Sequence, residues 1–130
     1  MTAIADTLPD TPLALVQAVF GYQQFRPGQL EIIEQIVAGR DALVLKPTGG
    51  GKSLCYQIPA LLRPGIGVVV SPLISLMKDQ VDSLRANGVA AVYINSALSR
   101  EEMVQNFDAM RRGEIKLVYV SPERLLQHEF

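Results

Sequence analysis

The stretch 46-KPTGGGKS-53 decides the fold of this chain. It follows a short apolar run at residues 42–45 and leads into another at residues 54–58, so the sequence predicts a buried strand that passes into a helix. The consecutive glycines let the backbone turn its N–H groups inward without a side-chain clash. The helix start adds free amides and the positive end of the helix dipole. The pattern therefore predicts a phosphate-binding loop.

Two residues of this loop carry the predicted chemistry. Lys52 is suited to reach the outer phosphates of a nucleotide, and the Ser53 hydroxyl is suited to ligate Mg²⁺. The rest of the predicted cradle consists of the preceding residues Pro47, Thr48, Gly49, Gly50 and Gly51. The general pattern GxxxxGK[ST] has glycine where this chain has Lys46, so the strict match fails at its first position. The alternative is a glycine-rich turn without a ligand, although each glycine adds a conformational cost that such a turn does not require.

The composition is that of an ordinary globular chain. Of 130 residues, 48% are hydrophobic and 19% are charged, which suffices for one domain. The single cysteine, Cys55, excludes an internal disulfide, fits a reducing cytosol and is expected to be buried. No run of about 18 apolar residues occurs, so we expect a cytoplasmic protein without a membrane partner. The formal net charge of −1 gives no general sign of a nucleic-acid partner.

Strand and helix patterns alternate along the chain. Residues 1–10 are expected to form a flexible lead and residues 11–130 a single domain. Strands are predicted at residues 42–45, 66–70, 91–94 and 117–120, and helices at residues 11–20, 27–39, 53–62, 73–87, 99–113 and from residue 122 onward. This alternation predicts an α/β fold with a parallel sheet, helices on both of its faces and right-handed crossovers.

Periodicity also predicts which side chains are buried. The run at residues 66–70 is expected to be buried on both faces of the sheet, because it is continuously apolar. Helical spacing predicts a set of inward-facing apolar side chains, namely Leu13, Val16, Leu73, Leu76, Met77, Val81 and Leu84. The sequence 99-SREE-102 is a capping box that predicts a helix start.

A loop rich in aromatic and amide side chains, 20-FGYQQFRPGQ-29, precedes the phosphate loop. An aromatic or guanidinium plane can stack on adenine, and a glutamine can bond the N6 and N7 edges of that base. The alternative is packing, with Phe20 and Phe25 in the core and Tyr22 half-buried, and we expect core positions for the two phenylalanines. For Arg26 and Gln29 the residues alone leave both interpretations open.

Polar turns follow the three later strands. Because the carboxyl ends of parallel strands meet at one edge of the sheet, where such folds bind ligands, these turns suggest a second site. Their hydroxyls, amide and helix-start N–H groups are of the type that holds a phosphodiester backbone without reading its sequence. The candidate contacts to a single strand are Ser71, Pro72, Asn95, Ser96, Ser121 and Arg124. The alternative is helix capping, which the residues alone favour because Ser71 and Ser121 each precede a proline.

Four stretches, taken in order, carry a family resemblance. They read 20-FGYQQFRPGQ-29, 47-PTGGGKSLCYQ-57, 70-VSPLISLMKDQ-80 and 120-VSPERL-125. Together they resemble the RecQ DNA helicases of superfamily 2. The resemblance implies an incomplete RecA-like P-loop NTPase fold, with ATP and Mg²⁺ as cofactors. It also implies a helicase that moves 3′ to 5′ on DNA in recombination, replication and repair.

The resemblance also implies roles for individual residues. In that family the first stretch is the adenine-recognition motif, which favours binding roles for Tyr22, Arg26 and Gln29. The turn at Ser71 resembles motif Ia and the turn at residues 121–124 resembles motif Ib, both of which line the DNA path. The implied partners are single-stranded DNA and duplex junctions, and a single-stranded DNA-binding protein is a candidate partner of the full-length protein.

Some of the family's machinery has no counterpart in these 130 residues. The Asp-Glu-x-His box, the second RecA-like lobe with its arginine finger and the zinc and winged-helix region are not found in the sequence. An arginine finger alone contributes about 10³ to 10⁵ in rate. We therefore expect this chain, by itself, to bind nucleotide weakly at most and not to hydrolyse ATP at an enzymatic rate. Because later strands of a RecA-like domain lie beside the strand before the phosphate loop, we also expect Leu43 and Val44 to lack neighbours.

Two other functions fit parts of the sequence. One is a different P-loop ATPase that acts on protein or small molecules, which the adenine motif and the Ser-Pro-Leu turn disfavour. The other is a non-catalytic DNA-binding or interaction module, which the slightly acidic net charge disfavours for DNA.

Overall fold

The computed structural model of the chain describes residues 9–45 and 52–126. Residues 1–8 of the predicted lead and residues 46–51 of the predicted phosphate loop therefore lie outside the described residues. The chain divides into two compact units, whose described residues are 9–45 with 52–64 in the first and 65–126 in the second.

The first unit contains three helices in its described residues: α1 (Pro12–Ala18), α2 (Gln29–Val37) and α3 (Lys52–Leu62). Both α1 and α2 pack against α3. The Thr11 hydroxyl caps α1 by accepting a hydrogen bond from the Ala14 N–H at 3.2 Å. The helix α3 continues through Pro59 to the predicted end at Leu62.

On α1, the buried side chains are not all those that helical spacing predicts. Leu15 and Val16 are fully buried, whereas Leu13, which we expected to face inward, is 48% exposed. The expectation was wrong because α1 spans only seven residues and packs against α3. A helix of two turns buries only the side chains on the face that is packed.

Residues 42–45 do not form the predicted strand. They have no regular secondary structure, and the side chains of Leu43 and Leu45 are 88% and 86% exposed. The prediction of a buried strand was wrong because a strand needs a neighbour to satisfy its backbone N–H and C=O groups. The expectation that Leu43 would lack neighbours is confirmed, and Val44 is partly buried.

The second unit holds a three-stranded parallel sheet within its described residues. Its strands are β1 (Gly67–Val70), β2 (Ala91–Ile94) and β3 (Leu117–Val120), in the spatial order β1-β3-β2. The last strand in sequence is therefore the middle strand of the sheet, with Val118 level with Val68 on one side and Val92 on the other.

Helices cover both faces of this sheet. The helix α4 (Ile74–Ala86) packs on β2 and β3, and the Tyr119 hydroxyl donates a hydrogen bond to Oε1 of Gln80 on this helix at 3.2 Å. On the other face, Phe107 of α5 (Arg100–Arg111) packs against the buried cluster that contains Val118. The predicted α/β class, with a parallel sheet between helices, is confirmed.

The prediction that residues 66–70 are buried on both faces of the sheet is wrong. On one face Val69 is only half-buried, and the other face is exposed. Val68 and Val70 are 50% and 48% exposed, although they share a face with the buried Val118 and Val120. The difference arises because α5 packs on β2, at the opposite edge of the described sheet.

The helices of this unit begin close to their predicted positions. The capping box at α5 is confirmed, since the Ser99 hydroxyl accepts a hydrogen bond from the Glu102 N–H at 3.1 Å and the Glu102 carboxylate accepts one from the Ser99 N–H at 3.0 Å. On α4, Met77 is buried as predicted. The inward orientation expected for Leu73 and Leu76 is wrong, because these side chains are 56% and 43% exposed at the start of the helix.

Candidate nucleotide and nucleic-acid sites

The predicted phosphate-binding residues that the structure describes lie at the start of α3. Lys52 is its first residue and is exposed, and Ser53 follows with a half-buried side chain. The next residues, Leu54 and Cys55, are buried, so they anchor this end of the helix in the first unit. The prediction of a buried Cys55 is confirmed. The other predicted phosphate contacts, residues 47–51, lie outside the described part of the chain.

The loop before α2 is closed by Gln29. Its Oε1 atom accepts a hydrogen bond from the Arg26 N–H at 2.7 Å, and its own N–H donates to the Arg26 carbonyl at 3.1 Å. The Gln29 side chain is only 1% exposed. Gly28, the N-cap residue of α2, has a φ of 85°, a backbone conformation that favours glycine. These two hydrogen bonds join Arg26 and Gln29 in one turn at the start of α2.

Tyr22 lies on the exposed side of the same loop. Its side chain is 54% exposed, and its N–H donates to the Val16 carbonyl at 3.0 Å. The side chains of Phe20 and Phe25 are half-buried, so they are not the fully buried core residues that we expected. The difference arises because the short helix α1 covers only part of this loop.

Gln17 of α1 also contacts this loop, although no pattern in the sequence indicates it. The Gln17 Nε2 atom donates a hydrogen bond to the Gln23 carbonyl at 3.0 Å. An exposed glutamine on a short helix carries no signal of such a role, because the partner is a backbone atom six residues away.

The turns after the three strands meet at one edge of the sheet, as predicted. The Ser71 N–H donates to the Val120 carbonyl at 3.0 Å, and the Ser121 N–H donates to the Ile94 carbonyl at 3.4 Å. The turns at Ser71 and Ser121 are therefore each joined to the end of the neighbouring strand, and Ser121 directly follows the middle strand. Ser121 is 3% exposed, whereas Pro72 and Ser96 are exposed.

Helix capping accounts poorly for the two serines of these turns. Ser71 does not cap α4, whose N-cap residue is Leu73; its hydroxyl accepts a hydrogen bond from the Leu73 N–H at 3.2 Å. Ser121 is the N-cap residue of α6 (Pro122–Leu125), but its side chain makes no capping hydrogen bond. The preference for capping that we drew from the residues alone is therefore wrong for Ser71, because α4 starts two residues later than the proline suggests.

Asn95 is the most buried polar side chain of this edge, with 0% exposure. Its Oδ1 atom accepts a hydrogen bond from the Ala97 N–H at 2.8 Å, and its Nδ2 atom lies 3.5 Å from the Met77 sulfur. These contacts order the turn after β2. A contact between Asn95 and DNA stays a prediction, and in this conformation the side chain is engaged inside the unit.

Arg124 projects from α6 toward α5. Its Nη2 atom lies 2.6 Å from the Met103 sulfur, and its side chain lines a groove along α5 together with Met103 and Phe107. The charged side chains of Arg100, Asp108 and Arg111 line the same groove.

No group of three or more His, Cys, Asp and Glu side chains suited to a metal ion is found among residues 9–45 and 52–126. Within the same ranges, no helix combines the length and apolar character needed to cross a membrane.

Comparison with known families decides the relationship of the chain. Residues 26–129 match the family described as DEAD/DEAH box helicase. The chain belongs to this family. The match includes the start of α3 and the three polar turns of the sheet edge.

Individual helicases are also similar to this chain. It is 52% identical over 120 residues to the "ATP-dependent DNA helicase RecQ" of Haemophilus influenzae, a match that covers 92% of this chain and 19% of the relative. The corresponding protein of Bacillus subtilis is 49% identical over 118 residues, or 90% of this chain and 20% of the relative. The mouse "ATP-dependent DNA helicase Q1" is 44% identical over 113 residues, or 85% of this chain and 17% of the relative. The predicted resemblance to RecQ helicases is confirmed, and the chain spans about a fifth of the length of these relatives.

Proposed function

We propose that residues 11–130 form the N-terminal part of the first RecA-like domain of an ATP-dependent DNA helicase of the RecQ type. The observation that carries the proposal is the position of Lys52 and Ser53 on the first turn of α3, in a chain that belongs to the DEAD/DEAH box helicases. A lysine and a hydroxyl at the start of a helix fit the outer phosphates of ATP and a magnesium ion.

Each predicted phosphate contact has a distinct task in this proposal. The exposed Lys52 ammonium pairs with the β- and γ-phosphates, and the half-buried Ser53 hydroxyl ligates Mg²⁺. Backbone N–H groups of residues 48–51 complete the cradle, since Pro47 has none. ATP bound at this site supplies the γ-phosphoryl group, whose transfer to water, with release of ADP, drives movement in the complete protein.

The loop of residues 20–29 selects adenine. Tyr22 and Arg26 offer an aromatic and a guanidinium plane for stacking on the base, and Gln29 offers its amide to the base edge. The hydrogen bond between Gln29 Oε1 and the Arg26 N–H supports this role, because it fixes both residues in one loop before any ligand binds.

The sheet edge binds a DNA single strand through its backbone. Ser71, Ser121 and the exposed Ser96 supply hydroxyls for the phosphate oxygens. Pro72, Asn95 and Arg124 belong to the same turns. In the complete protein we infer 3′ to 5′ unwinding of single-stranded and junction DNA in recombination, replication and repair, in the cytoplasm, with a single-stranded DNA-binding protein as a candidate partner.

Nucleotide binding tests the proposal directly. Titration of a fluorescent ATP analogue with Mg²⁺ into this chain is expected to show weak binding, which Lys52→Ala weakens by about 10- to 100-fold because a charge-assisted contact is lost. Lys78→Ala is the matched control, since it removes an exposed lysine from α4. Equal affinity of the wild-type chain and Lys52→Ala would contradict the proposed site.

ATP hydrolysis and DNA binding separate the remaining alternatives. We expect no hydrolysis by this chain alone, so turnover that disappears in Lys52→Ala would show that the missing motifs are not required. Stimulation of nucleotide binding by single-stranded DNA favours the helicase over a different P-loop ATPase. Salt-dependent DNA binding without nucleotide binding would instead indicate a non-catalytic DNA-binding module.

A further inference from the structure

The orientation of the Ser121 turn depends on a very short helix. The helix α6 has four residues, fewer than an isolated helix needs to be stable in water. The N–H groups of Arg124 and Leu125 both donate to the Ser121 carbonyl, at 3.1 and 3.0 Å. The direction of α6 and the direction of the Ser121 turn are therefore fixed together, and contacts that hold α6 also hold Ser121.

Two side chains hold α6 against the rest of its unit. Leu125 packs against the buried cluster on one face of the sheet. Arg124 reaches α5, where its Nη2 atom lies 2.6 Å from the Met103 sulfur, and its Nε atom is buried. The side chain joins residues that are 21 positions apart in the sequence and connects α5 with the end of the middle strand.

The Arg124 guanidinium faces the protein at two of its three nitrogen atoms, since Nη2 lies at the Met103 sulfur and Nε is buried. An arginine that binds a phosphate uses these N–H groups for the phosphate oxygens. The groove itself is of mixed character, because the charged Arg100, Asp108 and Arg111 line it together with Met103, Val104 and Phe107. Arg111, which lines the same groove, is different, because its side chain is 77% exposed and pairs with Asp108.

We propose that Arg124 is a positioning residue for DNA binding: it clamps α6 onto Met103 of α5 and thereby orients the Ser121 turn, without itself contacting a phosphate. The inference rests on the proposed function of the sheet edge and deepens it. It departs from the role that motif Ib resemblance implies for this arginine, which is a direct DNA contact.

The experiment measures binding of an oligothymidine to this chain as a function of salt concentration. Wild type, Arg124→Ala, Met103→Ala and the double variant are compared at 10 °C, after circular dichroism has shown that each is folded. We expect Arg124→Ala to weaken binding by about five- to tenfold, as is usual for residues that act through a neighbour. The slope of log K against log salt is expected to stay unchanged, because no phosphate contact is lost.

Met103→Ala tests the route of the effect. It is expected to weaken binding in the same direction, and the double variant is expected to bind no more weakly than the weaker of the two single variants, because both changes release the same clamp. Arg111→Ala is the matched control, since it removes an arginine from the same groove without releasing α6, and its affinity is expected to equal that of the wild type.

Arg124→Met provides a second test in which most of the volume of the side chain is kept. It keeps an apolar stem beside Met103 and removes the charge, so affinity close to that of the wild type is expected. In the same variants, hydrogen exchange of the backbone amides of residues 124 and 125 measures whether α6 is still held in place. Protection is expected to fall in Arg124→Ala, while that of Val118 is unchanged.

Several results would overturn the inference. A salt slope lowered by about 0.7 in Arg124→Ala and Arg124→Met would identify a phosphate contact. If Arg124→Ala leaves the affinity for oligothymidine or the protection of the Leu125 amide unchanged, Arg124 does not orient the Ser121 turn. If the wild-type chain binds no oligothymidine, both the proposed DNA site and this inference fail. If the wild-type chain binds but the variants do not show the affinities and salt slopes expected above, the inference alone fails.

Discussion

Residues 42–45 and the strand β3 are both short apolar runs, yet they differ completely in burial. Leu117 in β3 is fully buried, whereas Leu43 is 88% exposed. The strand β3 has a hydrogen-bonded neighbour on each side and helices on both faces, while residues 42–45 have no regular secondary structure. The comparison teaches that an apolar pattern specifies the capacity to form a strand, and that a neighbouring strand decides whether it forms.

Hydrogen exchange tests most directly whether residues 42–45 and β3 differ in backbone protection. We expect the amides of residues 42–45 to exchange at nearly the rate of an unfolded chain and the amides of Val118 and Val120 to exchange at least about 10³-fold more slowly, because their opening requires unfolding of the sheet. Mass spectrometry or NMR of the monomer provides the measurement. Strong protection of residues 42–45 in a monomer would mean that this segment finds a partner after all.

Substitution of matched leucines tests the same difference energetically. Leu117→Ala is expected to lower the free energy of unfolding by about 2–5 kcal/mol, because it leaves a cavity between strand and helix. Leu43→Ala is expected to change it by no more than about 0.5 kcal/mol, because an exposed side chain loses little on truncation. Urea unfolding followed by circular dichroism measures both, and equal losses for the two variants would refute the comparison.

The cap of α5 predicts a smaller effect within the buried unit. Ser99→Ala is expected to cost about 1 kcal/mol, since the Glu102 N–H loses its acceptor. Ser83→Ala, at an exposed position inside α4, is the control and is expected to leave the urea midpoint unchanged or slightly raised. A Ser99→Ala midpoint equal to that of the wild type would show that the capping box does not stabilise the helix.

The same cap predicts a dependence on pH. The hydrogen bond from the Ser99 N–H lowers the pKa of the Glu102 carboxyl in the folded chain. Its contribution is therefore present above the unfolded pKa and is lost as pH falls through the lower folded pKa. We expect the difference in urea midpoint between wild type and Glu102→Gln to disappear over this acidic range. A difference that persists at lower pH would contradict the assignment.

The smallest expected effect belongs to an exposed ion pair on α4. Lys78 Nζ lies 2.7 Å from Asp82 Oδ2, and this bond raises the pKa of the Lys78 ammonium. A double-mutant cycle of Lys78→Ala and Asp82→Ala is expected to give a coupling below the effect of Ser99→Ala, and added salt is expected to remove it because both groups are solvated. A coupling that resists salt would show that the pair is shielded from solvent.

Much of the second unit could be predicted from its sequence, because its signals are local. The bounds of β2 and β3 and the start of α5 follow from apolar runs and from the capping box, and they agree with the structure. Burial was less predictable. The exposed face of Val68 and the outward position of Leu76 depend on which element lies opposite, and periodicity carries no information about that.

The candidate sites show the same limit. The position of Lys52 at a helix start was predictable from glycines and helical spacing, since both lie within a few residues. The bond between Gln29 Oε1 and the Arg26 N–H was not predicted, because the sequence shows an amide near an arginine without its direction. The contact between Arg124 and Met103 joins distant parts of the chain, and no local pattern contains it.

The position of β3 in the middle of the sheet bears on how the chain folds as it is made. The strands β1 and β2 pair only with β3 in the described sheet, although both precede it in the sequence. Residues 71–116 separate the end of β1 from the start of β3, and their synthesis takes roughly 2–9 s at about 5–20 residues per second. Until β3 is made, the strands that are already synthesised have no partner within this sheet. In the ribosome-bound chain, Val68 and Val70 therefore stay unpaired and exposed until synthesis reaches β3.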